Sequence, residues 1–252
     1  MTKLTSIIPT GNEQHNIVEA IKSVRFSDEV MVVDSLSTDD TVKLARPLVD
    51  TILQREYKNS ASQKNWAIPQ AKHEWILLLD ADERVTSELQ QEVIRMINSN
   101  TEYSGFWIRR ENYFMGKKVR FSGWQGDKVI RLFRRDECKY ERKHVHAEIM
   151  SSGKIGLLHH KILHNTFVSK EAYLNKLDRY AKLQAKDYDK KVKFITPFHT
   201  VVKPIVRFLK HYFLQLGILD GHVGFVISSY QAKAVAMRYK YIQEIRKAEK
   251  RK

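Results

Sequence analysis

The run Trp75-Ile76-Leu77-Leu78-Leu79, followed by Asp80-Ala81-Asp82-Glu83, constrains this chain more than any other stretch. Apolar residues without a polar interruption suit a strand covered on both faces, as found inside parallel sheets packed between helices. The run stops at three acids within four positions. If the strand continued, alternation would point Asp80 and Asp82 to one side, with Ala81 leaving room between them. Carboxylates at the carboxyl end of a central strand lie where open α/β sheets bind ligands. Oxygen ligands of this kind suit a hard divalent cation, Mn2+ or Mg2+, which in turn holds phosphate oxygens. The plainer alternative is a strand-to-helix turn whose acids cap a helix starting near Thr86.

The residues upstream favour the first reading. Lys3–Ile8 is a short β-branched run that ends in the loop Pro9-Thr10-Gly11-Asn12-Glu13, before a helical pattern through Ile17, Ala20, Ile21 and Val24. Glu29–Val33 reads as a second buried strand ending at Asp34, and Ser35–Thr41 supplies loop and capping residues before a helix through Val42 and Ala45. Thr51–Gln54 is a weak third strand and Ser60–Ile68 a helix. Strand and helix thus alternate four times in the first hundred residues, which predicts a parallel sheet with covering helices and right-handed crossovers. Asn12, Glu13, Asp34, Asp80 and Asp82 all follow strands and are expected to face one crevice. Neither Gly-x-Gly-x-x-Gly nor Gly-x-x-x-x-Gly-Lys-Ser/Thr occurs, so neither a dinucleotide fold nor a P-loop is indicated. A nucleotide held here would use a metal for its diphosphate and carboxylates for base and ribose, the requirements of a nucleotide-sugar site.

Charge divides the chain. Residues 1–100 carry 11 Lys/Arg against 15 Asp/Glu, whereas residues 101–252 carry 33 against 14. An excess of that size calls for an anionic partner: nucleic acid, a membrane surface or a phosphorylated acceptor. No RNP, KH or helix-turn-helix signature accompanies the charge, which argues against nucleic acid. A nucleotidyltransferase would also place paired carboxylates on metal and phosphate, but no Gly-rich triphosphate loop follows the first strand. The single cysteine, Cys138, excludes an internal disulfide framework and fits the reducing cytosol. The amino terminus lacks a signal-peptide core because Pro9 cuts Ile7-Ile8 short, and no apolar window is long enough to span a bilayer.

Four segments in order, Ile7–Glu13, Val32–Thr41, Gln63–Ala67 and Leu77–Arg84, resemble family 2 glycosyltransferases of the GT-A fold. Arg131–Arg135, Lys143–Glu148, Ile162–Thr166, Lys203-Pro204 and Leu216–Gly224 resemble the subgroup around the lipopolysaccharide core glucosyltransferases (WaaE/KdtX type). The resemblance covers nearly the whole chain. It implies an α/β fold with a mostly parallel central sheet flanked by helices and a basic helical extension. It also implies an inverting, metal-dependent transfer of a hexose, glucose in that subgroup, from a UDP-sugar to a lipid-linked anionic glycan. Carried onto these residues, it implies that Pro9, Thr10 and Glu13 line the nucleotide pocket and that Asp34 bonds the base. Lys64 would lie near the pyrophosphate, Asp80 would reach ribose or metal, and Asp82 would bind the metal with His164 completing its shell. Two departures, Gly11 in place of an aromatic residue and Ser35-Leu36 in place of Asp-Gly, bear on base recognition.

Inversion needs a general base to deprotonate the acceptor hydroxyl. Glu148, Asp127 and His146 are the candidates, with the alternative that Asp127 simply pairs with Arg131. Phe106–Arg110 reads as a strand, and Asn112–Gly126 as a hairpin or loop in which Trp124 is the candidate sugar platform. Trp66, Trp75 and Trp107 are expected in the core. A helix opens after Ser169. Residues 197–219 are apolar with interleaved Lys203, Arg207, Lys210 and His211, a composition suited to a helix lying in a membrane interface. A final helix starts near Val223 and ends in a basic tail. The expected organisation is a catalytic domain over 1–168, with a donor half (1–100) and an acceptor half (101–168), and a helical extension over 169–252. It would lie in the cytoplasm, peripherally on the inner face of the plasma membrane through 197–219 and the basic tail.

Overall fold

In the computed structural model, residues 1–141, 148–167 and 170–249 are described. The chain runs β1 (Leu4–Thr10), α1 (Ile17–Ser23), β2 (Glu29–Asp34), α2 (Thr41–Ala45), β3 (Thr51–Gln54), α3 (Ser60–Ala67), β4 (Trp75–Leu78), β5 (Glu83–Val85) and α4 (Ser87–Asn98). It continues through β6 (Tyr103–Phe114), β7 (Lys117–Val119), β8 (Lys128–Arg134), β9 (Cys138–Tyr140), β10 (Ile149–Ser151) and β11 (Lys154–Phe167). Three further helices follow, α5 (Lys170–Asp189), α6 (Lys203–Leu209) and α7 (Gly221–Glu249).

The main sheet has the order β3-β2-β1-β4-β8-β6-β11-β5, with β7 paired to β6. The first four strands are parallel, with Thr10 opposite Asp34 and Ile7 between Met31 and Leu78. Helical crossovers make this possible. From β4 onward the pairing turns antiparallel, with Trp75 opposite Arg134 and Phe106 opposite Leu132. Antiparallel neighbours need only short connections, and Gly116 at φ 74° makes the tight one between β6 and β7. β9 and β10 form a separate two-stranded ribbon.

By internal packing the chain divides into residues 1–111 with 127–164, and residues 112–126 with 165–252. The segment 112–126, read from sequence as part of an acceptor half, packs with the helical unit. In the first unit, one apolar face of the sheet packs with α1 and α4 through Leu4, Ile8, Ile21, Trp75, Leu77, Leu89 and Val93. The other packs with α3 through Ile7, Met31, Val33, Ile76, Leu78, Ala61 and Ala67. β2 and β4 are buried at every position, as their uninterrupted apolar runs require. Thr86 caps α4, its hydroxyl accepting from the Leu89 amide at 3.2 Å.

In the second unit, Phe114, Val119, Tyr173, Val223 and Ile227 form one cluster and Ala185, Val235, Tyr239 and Ile242 another. Residues 198–220, expected as one helix and a turn, form a π-helical turn, α6, a second π-helical turn and a 3-10 turn. Among the described residues no helix is long and apolar enough to cross a membrane.

Candidate active site

The carboxyl ends of β1, β2 and β4 lie side by side because the strands are parallel and in register. The Ser35 amide donates to the Thr10 carbonyl at 2.9 Å, joining the two loops that follow. Asp34 is fully buried, yet its oxygens are satisfied: it accepts from the Ser37 amide and hydroxyl and from Gln54 Nε2 at 3.0 Å. These bonds hold Leu36 in the left-handed region at φ 59°. Gly11 is close to Ser35, where a Cβ would stand 3.2 Å from the Ser35 Cβ. Even a single methyl there would press on Ser35, which fits glycine in place of the aromatic residue of the resembling family. Glu13 accepts from Asn16 Nδ2 at 2.8 Å, and its carbonyl receives the Asn16 and Ile17 amides, so it fastens the start of α1. Among the described residues, the buried Thr10 hydroxyl has no hydrogen-bond partner.

Beyond β4 the strand does not run on. It ends at Leu78, and the Glu83 amide donates to the Asp80 carbonyl at 2.9 Å, closing a tight turn that leads into β5. Strand alternation therefore does not set Asp80 and Asp82, and the turn directs them to different partners. Asp80 pairs with Lys64 Nζ at 3.0 Å and with Arg131 Nη2. Asp82 Oδ2 stands 3.5 Å from His164 Nε2, because β5 pairs with β11 and sets Glu83 opposite His164.

Behind the turn lies a buried ion network. Glu83, with no exposed surface, accepts from the Asp80 amide at 3.0 Å, from Arg131 Nη2 at 2.7 Å and from Arg110 Nη1 at 3.4 Å. Arg84 ties the turn to α1, donating to the Ala81 and Glu83 carbonyls at 2.7 and 2.6 Å and to the Asn16 carbonyl at 3.0 Å. Burial alone would raise the Asp80 carboxyl, but the positive charges of Arg131 and Lys64 reverse this and hold it well below the usual carboxylate range. Burial likewise opposes charge on Lys64 and Arg131, yet their carboxylate partners keep both cations charged.

The helix α3 is placed by Asn59, whose side chain accepts from the Ser62 amide at 2.8 Å. It turns Gln63 toward Ser35 and Lys64 toward Asp80. Asn65 bonds the carbonyl and amide of Tyr140, at 2.9 and 2.8 Å, and the Lys64 ammonium lies 5.3 Å from the Tyr140 ring centre. Tyr140 pairs with Ile149. Glu148, exposed and just before β10, accepts the Glu141 amide on its carbonyl at 2.9 Å. His146 lies outside the described residues. Asp127 does not pair with Arg131. It forms a two-pronged pair with Arg110, at 2.9 and 2.7 Å, because Arg110 is its neighbour across β6 and β8 and Arg131 is committed to Asp80 and Glu83. Trp124, in the second unit, meets the Phe114 ring edge-on at 6.4 Å. Trp75 is buried as expected, with Trp66 and Trp107 partly covered beneath Arg55 and Lys128.

Sequence reasoning missed Glu83, Arg84 and Arg110 as structural members of this site and considered Arg131 only as a partner of Asp127. A signal for Arg131 was present. It interrupts the apolar sequence Val129-Ile130-Arg131-Leu132-Phe133, and a guanidinium on a buried strand needs a buried carboxylate.

Among the described residues, no group of three or more His, Cys, Asp and Glu side chains is placed to hold a metal. Asp80 is engaged by two cations, which leaves Asp82 and His164 as the pair facing one another. A carboxylate and an imidazole suit a divalent cation whose other positions are taken by phosphate oxygens and water.

A half-parallel sheet that gathers carboxylates and buried cations at its strand ends defines an α/β protein whose ligand crevice is expected at those ends. More particularly, the chain belongs to glycosyl transferase family 2, whose family model matches residues 5–173. An uncharacterized glycosyltransferase of Rickettsia typhi is 31% identical over 97% of this chain and 88% of its own length. The lipopolysaccharide core biosynthesis glycosyltransferase LpsC of Rhizobium meliloti is 25% identical, over 83% of this chain and 80% of that protein. The GalNAc(5)-diNAcBac-PP-undecaprenol beta-1,3-glucosyltransferase of Campylobacter jejuni is 27% identical, over 69% of this chain and 59% of that protein. Among solved structures, the mannosyltransferase PcManGT from Pyrobaculum calidifontis, in complex with GDP-Man and Mn2+, aligns with a TM-score of 0.55 at 16% identity, covering 96% of this chain and 87% of that one. The fold is of the GT-A type.

Proposed function

We propose that this glycosyltransferase is an inverting, metal-dependent hexosyltransferase that moves glucose from a UDP-sugar to a lipid-linked anionic glycan such as lipopolysaccharide core, as in the WaaE/KdtX-type subgroup. The observation that carries the donor reading is Asp82 beside His164 at the end of β4, with Lys64 and Arg131 on the neighbouring Asp80. In this reading Asp82 and His164 hold Mn2+ or Mg2+, which when bound offsets charge on the diphosphate as it leaves. Lys64 stands close enough to share that role, and Asp80 is held ionised to meet the ribose. Pro9, Thr10 and Glu13 line the nucleotide pocket, and Asp34 meets the base. The unpartnered Thr10 hydroxyl supports this, since a bound nucleotide would supply the missing hydrogen bond.

Glu148 is the proposed general base. Glu148 is exposed and immediately precedes β10, which pairs with β9, whereas Asp127 is held in a two-pronged pair with Arg110. The acceptor class rests on the R. meliloti and C. jejuni relatives and on the basic excess after residue 100. Catalysis is assigned to residues 1–168, with 169–252 as an extension that meets the inner face of the plasma membrane.

The test is thermal stability of the purified protein with UDP, GDP and UDP-glucose in Mn2+, Mg2+ or EDTA. A ligand that binds only the folded state adds about 2.7 kcal/mol at a hundredfold excess over its Kd. A metal-dependent shift with the uridine nucleotides is expected, and Asp82→Ala should abolish it while melting like the wild type without ligand. No shift with any nucleotide, or an unchanged shift in Asp82→Ala, overturns the reading.

A further inference from the structure

The segment 198–219 is amphipathic in the opposite sense to a helix docked on a protein core. Phe198, Val201, Val202, Ile205, Val206, Leu209 and Phe213 are all exposed, so apolar side chains reach the surface along the whole segment. Leu214 and Leu219 are 80% and 63% exposed. Several polar residues face inward instead, while Lys210 stays exposed. Lys203 donates to the Tyr239 hydroxyl at 2.9 Å, the His199 ring lies 5.0 Å from that of Tyr239, and buried His211 bonds the Ser122 carbonyl at 3.1 Å. Part of the polar face is thus turned into the helical unit, and apolar side chains are presented outward. An apolar area of this extent is large for a surface meant to stay in water.

Charge identifies what covers it. Residues 190–219 contain Lys190, Lys191, Lys193, Lys203, Arg207 and Lys210 and no acid. A second copy laid on this surface would bring two such sets of like charges together. An anionic lipid leaflet would accept the apolar side chains below its headgroups and the lysines at its surface.

We infer that residues 198–219 form an in-plane docking surface for an anionic bilayer, with Val201, Ile205, Val206, Leu209, Phe213 and Leu214 entering the lipid and Lys210 at its rim. The inference rests on the lipid-linked acceptor for its purpose, but not for its measurement. The test is flotation of the full chain with vesicles of phosphatidylcholine alone or mixed equally with phosphatidylglycerol, without nucleotide or acceptor. Binding to the mixed vesicles is expected, falling by about tenfold or more in Ile205→Glu/Leu209→Glu and by roughly fivefold in Lys210→Ala. Leu183→Glu, which alters an exposed apolar residue of α5 outside this segment, should bind as the wild type does. Because the substituted positions are exposed, these variants should fold, and an unchanged nucleotide-dependent shift in melting keeps the donor site separate from the docking surface. Three results would overturn the inference: no binding by the wild type, equal binding by the double variant, or concentration-dependent self-association that the double variant abolishes.

Discussion

Arg131→Met removes the guanidinium that joins Asp80 to Glu83 without leaving a large void. Glu83 is wholly buried and Arg131 is 3% exposed, so the substitution strands a buried carboxylate. Removing one partner of such a pair costs about 3–5 kcal/mol. Glu83 keeps the Asp80 amide at 3.0 Å and Arg110 at 3.4 Å, which places the expected loss at the lower end, about 3 kcal/mol. Asp80 adds less, because it is partly open to water and keeps Lys64. Urea unfolding at neutral pH measures the loss. Glu83→Gln in the same background should recover part of it, giving a coupling of about 2 kcal/mol in the double-mutant cycle. The pH dependence has a defined sign. Arg131 and Lys64 hold the folded Asp80 carboxyl below its usual value against the cost of burial, so its stabilisation is present above the unfolded pKa, about 4, and lost as pH falls toward the lower folded value. With Arg131 gone that contribution shrinks, so the wild-type advantage should narrow below about pH 4. A variant within about 1 kcal/mol of wild type at neutral pH, or a strictly additive cycle, would refute this account of the network.

Three further substitutions bear on other parts of the molecule. Gly224→Ala drives a methyl into the Gly217 carbonyl at the start of α7, and overpacking against backbone should cost about 2–3 kcal/mol in thermal melts; a neutral result would mean that the 217–221 turn yields easily. Glu148→Gln should remove sugar transfer while leaving nucleotide-dependent stabilisation intact, whereas Asp127→Asn should weaken the Arg110 pair and lower stability first. Transfer assays paired with melting curves separate the two, and equal rates for Glu148→Gln and wild type would reject Glu148 as the base.

Much of the first hundred residues was readable in advance. The β-branched and apolar runs at β1, β2 and β4 are so continuous that only burial on both faces satisfies them, and Thr51–Gln54 was bounded correctly despite its weak pattern. The later strands were harder. β8 carries Arg131 in its middle and β11 carries His159, His160, Lys161 and His164, so neither shows a clean period. Their polar residues are satisfied by partners distant in sequence, as when Glu92 of α4 accepts from the His159 and His160 amides at 2.8 and 2.9 Å. Among the three candidate bases, only the tertiary pairing of Asp127 with Arg110 separates Asp127 from Glu148.

By itself, the sequence determined that acids would follow parallel strands, because local hydrophobic runs and loop residues settle where strands end. It also determined that residues 197–219 would be amphipathic, since that depends on spacing alone. Tertiary structure decided how those acids divide. The turn after Leu78 sends Asp80 to Lys64 and Arg131 and Asp82 to His164, a choice made by β8 and β11, whose residues lie about fifty and eighty positions further along. Tertiary structure likewise decided which face of 197–219 points outward, because periodicity defines two faces and only the partners of Lys203 and His211 select between them.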